Sequence, residues 1–218
     1  MLKLLSWFIA GLLLLTVTPS LRPFQPDTIE PFQPDTIDRL IKRRQCPRCN
    51  LSKANLSELQ LDGANLRHAN LSFADLSWSQ LNQADLQGSN LENADLSWVH
   101  LTSANLKKAF LKFTIFQLAD LEAADLQGAY LNQADLSWCN LTDAYLKGAD
   151  LEQANLFQAN LQNANLQRAN FKGANLENAN LSGARIDNIF LEGANLNAAI
   201  WIDGKKCQQG SIGRCIQQ

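Results

Sequence analysis

Histidine is nearly missing from this sequence. His68 and His100 are the two among 218 residues, which leaves little material for an imidazole metal site or a histidine-activated nucleophile. Charged residues are 18% of the chain and form no long block of one sign, which argues against a disordered interaction tail. The apolar run from Leu4 to Val17 is too short for a comfortable bilayer span of about 20 residues. With Lys3 before it and the small residues Thr18 and Ser20 after it, it fits a secretory signal peptide. The Thr18-Pro19-Ser20 end is a poor match to A-x-A, so an uncleaved anchor or an apolar cap stays open.

What the chain has in quantity is leucine at every fifth position. The stretch Leu156 to Leu181 reads LFQANLQNANLQRANFKGANLENANL. On an α-helix a step of five turns each leucine by about 140°, so no apolar stripe forms. On a flat strand residues five apart point to opposite faces, so half the leucines would be wasted. A chain that turns a corner once per repeat solves the problem, because Leu and the Ala two before it can both point inward. Four such sides close a square of about 20 residues. Coils stacked about 4.8 Å apart then place leucine on leucine and alanine on alanine.

This pattern, A(N/D)LXX from Leu51 to Leu196 without insertion, resembles the pentapeptide-repeat family. The resemblance implies an all-β fold, a right-handed quadrilateral β-helix of about 7 to 8 coils and roughly 36 Å length. On that fold the predicted organisation is a signal peptide over 1–20, a Pro-rich linker and capping helix over 21–45, the solenoid over 46–201 and a C-terminal cap over 202–218. The linker holds a duplication, PFQPDTIE then PFQPDTID, followed by DRLIKRRQ. The last of these reads as a short helix from Asp38, with Asp35 or Thr36 near its start and Ile37, Leu40 and Ile41 on one face. Trp201, Ile202 and Ile212 are expected to close the other end.

Cys46 and Cys49 precede the first leucine repeat, Cys207 and Cys215 follow the last, and Cys139 takes an alanine position. The rod's ends lie too far apart for cross-pairing at the Cα separations of disulfides. Each end is therefore expected to be stapled locally. The C-x-x-C spacing also serves redox and zinc chemistry, but no histidine lies near Cys46 and Asn50 excludes a haem attachment motif. The texts CPRCNL and CQQGSIGRC resemble the flanks of exported cyanobacterial family members.

No catalytic constellation survives this geometry. Modulo 20, His68 and His100 fall on different sides and in different coils, and the Asp residues before the central leucines alternate with Asn, as turn residues do. No enzyme, metal or cofactor is expected. The outward columns carry more. Trp78, Trp98, Leu118 and Trp138 are 20 apart and two positions after a central residue, while Phe110 and Tyr130 form a neighbouring column and Phe73 with Phe113 another. Ile115 lies beside Leu118, and Lys107, Lys108 and Lys112 border the patch. Contiguous exposed apolar surface marks interaction sites; a plain ladder, or cover by the linker through Phe24, Ile29, Phe32 and Ile37, are the alternatives.

The expected function is a non-enzymatic, rigid protein-interaction scaffold, exported to a periplasm or thylakoid lumen. Its partner is an unknown protein or a second copy, with no nucleic acid and no membrane once the signal is removed. A second reading comes from the resemblance: some members are acidic rods that imitate DNA and inhibit or protect DNA gyrase in the cytoplasm. The repeats are acidic, with nine Lys and Arg against sixteen Asp and Glu, but the flanks are basic and the cysteines paired.

Overall fold

The computed structural model describes residues 35–217; the expected signal peptide and the linker before Asp35 lie outside them. The chain enters through one helix, α1, over Thr36–Arg43, and Arg44 ends it in the left-handed conformation. The helix begins two residues before Asp38, and Leu40 and Thr36 are its buried residues. Ile37 packs partly against the core. Ile41, expected on the same face, is 41% exposed, because the buried stripe runs through Thr36 and Leu40 and Ile41 lies about 100° round the helix from Leu40.

From Gln45 onward every parallel pairing has one register. Single parallel bridges link residues 20 apart, from Gln45 with Asn65 to Asn180 with Ile200. Each central residue donates its N–H to the coil ahead, as Leu101 does to the Asp120 carbonyl at 2.7 Å, and the residue before it donates to the coil behind, as Asn70 does to the Cys49 carbonyl at 2.9 Å. A turn recurs every five residues, closed for example by the Ala84 N–H on the Leu81 carbonyl at 3.0 Å. Four turns per twenty-residue register make the coil four-sided.

The core is a stack of central side chains, with Leu66, Leu101, Phe116, Leu146 and Phe171 all at 0% exposure. Alanines from Ala64 to Ala179 fill the space between them at 0–1%. Ser79, Ser89, Thr114 and Cys139 replace Ala and are buried as fully; their hydroxyls or thiol bond to the carbonyls of Leu76, Leu86, Leu91 and Phe116. A buried polar atom without such a partner would cost about 1–3 kcal/mol.

Asp and Asn before each centre are turn residues. The Ser77 and Ser97 N–H groups donate to Asp75 and Asp95 Oδ1 at 2.9 Å. Where the residue is Asn, its amide reaches the coil behind, as Asn155 Nδ2 does to Asp135 Oδ1 and Asn175 Nδ2 to Asn155 Oδ1, both 3.0 Å.

The two ends differ. Cys46 and Cys49 stand at a leucine and an alanine position of a regular side, bonded to each other with Cα atoms 5.3 Å apart and buried under α1, where Arg39 donates to Cys49 Sγ. At the other end the chain turns at Gly204 and returns antiparallel, pairing Ile200 with Lys206 and Asn195 with Ile212. Cys207 and Cys215 tie this tail, Cα atoms 5.1 Å apart. Trp201 and Ile202 pack partly on the core. Ile212 does not close the column, being 52% exposed; Ser211 beside it is buried, because the returning strand alternates its faces.

Candidate interaction surface

Phe110 and Tyr130 are bridge residues, whereas the Trp78, Trp98, Leu118 and Trp138 column, and the Phe73 and Phe113 positions, are built by the second residue of each turn. That residue has φ near +60° throughout: 60° at Trp78, 59° at Trp98, 60° at Leu118, 58° at Trp138, 60° at Phe113. For a residue with a side chain this conformation costs roughly 1–2 kcal/mol, and glycine fills it elsewhere, as at Gly88, Gly128 and Gly148. The corner geometry aims these side chains away from the core. Trp78 is 54% exposed, Trp98 42%, Leu118 41% and Trp138 46%.

Trp78 and Trp98 stack with centroids 4.7 Å apart and planes within 7°. Their faces are turned to one another along the column, so the indole edges meet solvent. Trp138 is held differently. Its Nε1 donates to Gln158 Oε1 at 2.7 Å, and its ring meets Phe157 edge-on at 5.5 Å. Phe110 and Tyr130 stack at 5.2 Å on a neighbouring side, half-buried rather than exposed.

Phe73 and Phe113 are not brought together. They are two coils apart with Asn93 between them, and Lys112 Nζ lies 4.8 Å over the Phe113 ring. Lys107 is taken by Asp125 at 2.8 Å, which removes it as a free border charge. Ile115, 39% exposed, lies between the Phe113 and Leu118 corners. Phe157 escaped the sequence reading because it is the first, not the second, turn residue of its side; a diagonal step of 19 would have found it. Tyr145, 47% exposed, stands outside the predicted columns; Phe190, 60% exposed, is in register with Phe110 and Tyr130 but separated from Tyr130 by Asp150 and Asn170.

Among the described residues no cluster of three His, Cys, Asp or Glu is placed to hold a metal, and no helix is long and apolar enough to cross a membrane. Cys139, the free thiol, has its pKa pushed far upward by burial and is kept as the neutral acid.

Comparison with known proteins agrees with this architecture. Residues 48–83, 79–117, 119–158 and 159–197 match the family model described as pentapeptide repeats. Among solved structures, HetL of the cyanobacterium Nostoc sp. strain PCC 7120, involved in heterocyst differentiation regulation, is 36% identical over 74% of this chain and 76% of its own, with a TM-score of 0.52. Rfr23 of Cyanothece 51142 is 27% identical over 77% of this chain and 97% of its own at a TM-score of 0.30. A pentapeptide repeat protein of the Arabidopsis thaliana thylakoid lumen is 25% identical over 59% and 85%, at 0.27. No curated protein matches the chain.

Proposed function

The chain belongs to the pentapeptide-repeat family, whose fold is a right-handed quadrilateral β-helix, and on that premise we propose that it is a non-enzymatic, rigid docking scaffold of an extracytoplasmic compartment. Its rod of seven to eight coils would bind an apolar protein surface through the Trp78, Trp98, Leu118 and Trp138 corner, with Phe113 and Ile115 on the adjoining side and Phe110 with Tyr130 beyond. The observation that carries this reading is the corner itself: four large apolar side chains in register, each at a backbone position where a side chain costs free energy. Stacked faces leave ring edges for contact, which suits a packed protein surface better than the ring of a sugar. A surface pre-ordered by the solenoid loses little entropy on docking.

Two disulfides in one chain support an oxidising compartment, a periplasm or thylakoid lumen, in keeping with the apolar run Leu4 to Val17. Neither feature suits a cytoplasmic imitator of DNA.

The test is a Trp78→Ala, Trp98→Ala, Trp138→Ala triple variant of the full chain, compared with wild type for mass in solution and for proteins retained from native extract. Loss of a specific retained protein, with circular dichroism unchanged, is the expected result. Loss of self-association alone would make the corner a homodimer interface, and no difference at all would sink the proposal.

A further inference from the structure

The returning tail covers sides 196–200 and 201–205 of the last coil and part of side 191–195, where a Cβ at Gly213 would stand 3.6 Å from Gly193 N, and it leaves side 186–190 open. On the covered sides the pattern is complete: Leu196 N–H donates to the Ser211 carbonyl, Gly213 N–H to the Ala194 carbonyl, and Trp201 N–H to the Lys205 carbonyl. On the open side, and on the uncovered part of side 191–195, the same atoms have no hydrogen-bond partner among the described residues. These are the N–H groups of Ile186, Asn188, Leu191 and Gly193 and the carbonyls of Ala184 and Ile189. Ile186, Ile189 and Leu191 occupy core positions yet are only partly buried, whereas central and alanine-position residues through the middle coils are sealed. Beside them Phe190 is 60% exposed on a concavity of about 460 Å³ that it lines with Asn170, Lys172, Ile189, Leu191 and Glu192.

An unpaired edge of this kind is a template for another strand. We propose that this ledge is a strand-addition site: it takes up an extended, acidic segment of another protein, with apolar residues five apart, which completes the last coil along residues 186–191. The proposal does not rest on the tryptophan corner.

Two observations select that occupant over a second copy. The first is area. A side of five residues is at most about 16 Å long, so two column ends meeting bury on the order of 500 Å², well below the roughly 1,200 Å² of stable interfaces. The second is charge. Lys172 and Lys205 are paired to Glu192 and Asp203, but exposed Arg185, Lys206 and Arg214 have no carboxylate partner among the described residues. Exposed Asp187 likewise has no cation partner among the described residues, so three free cations against one free carboxylate leave this end net basic, which attracts an acidic segment and repels an identical end. At the opposite end the Asn50, Asn55 and Gln60 N–H groups also have no backbone partner among the described residues, but α1 lies over that coil.

The probe is a fluorescein-labelled peptide copying residues 165–172, the stretch beneath the ledge, carrying Arg168→Glu and Lys172→Glu. Its anisotropy is followed with the full chain at low salt. Saturable binding is expected, weakened several-fold for the unaltered basic peptide and more than tenfold by Phe190→Glu in the protein. Phe190→Glu keeps its fold because the side chain is exposed, and Trp98→Ala leaves binding unchanged. Absence of saturation below millimolar protein, or binding indifferent to Phe190→Glu, overturns the proposal. A Phe190-dependent dimer in sedimentation overturns it too, by giving the ledge to a second copy.

Discussion

Trp78 and Trp98, one full coil apart in sequence, lie face to face at 4.7 Å, while Leu96, two residues before Trp98, is sealed in the core at 0% exposure. Neighbours in the chain thus do opposite work. Trp98→Ala is expected to cost about 0.5–1.5 kcal/mol, the worth of an aromatic pair beyond its burial. Leu96→Ala opens a cavity and is expected to cost about 2–5 kcal/mol. Urea midpoints of the two variants check the ranking.

Gly88 and Gly63 share a left-handed turn position, with φ +64° and +66°, but differ in what lies beside them. A Cβ at Gly88 would stand 2.6 Å from His68 Nδ1, whereas one at Gly63 meets nothing within 4 Å. Gly63→Ala should cost about 1 kcal/mol, for the backbone alone. Gly88→Ala should cost clearly more, and His68→Ala in the same chain should recover the difference. Thermal midpoints of the three variants decide it.

Cys139 gives stability a pH dependence. Burial raises its thiol above the ordinary value of 9.0, so the folded state holds its proton after the unfolded chain has released it. The contribution is complete below pH 9 and declines above it by about 1.4 kcal/mol per pH unit until the folded thiol itself ionises. Cys139→Ala should flatten the decline between pH 9 and 10.5. Native chain should resist iodoacetamide at pH 8.5, and labelling of folded protein at the rate of a free thiol would contradict the assignment.

The two disulfides close short local loops, of three and eight residues separation. Chain entropy assigns each about 2–3 kcal/mol. In a column whose coils contact only their neighbours, that loss falls on the ends. Reduction should speed amide exchange in α1 and in residues 203–217 while the coils around Leu121 to Leu146 keep their protection. Uniform loss of protection along the rod would refute this.

The tryptophan column was legible before any coordinates because the twenty-residue register converts sequence distance into adjacency. The same arithmetic placed Phe110 on Tyr130. It failed where contact is diagonal, as between Trp138 and Phe157, and where it gives register without contact, as for Phe73 and Phe113 across Asn93. Lys107 was placed at the border of the patch, but its partner Asp125 lies 18 residues on, two short of the twenty-residue register, so the register arithmetic did not show the ion pair.

The spacing of Leu and Ala is a local rule obeyed some thirty times, and a rule repeated without insertion leaves the interior no alternative packing. Coil size, buried faces and outward columns therefore follow from the sequence alone. The ends obey no repeat. Whether Ile212 or Ser211 turns inward, how many sides the tail covers and which N–H groups stay unpaired depend on where a short non-repetitive strand meets an edge already built. Only the tertiary structure decides that, because those contacts join residues that no periodicity relates.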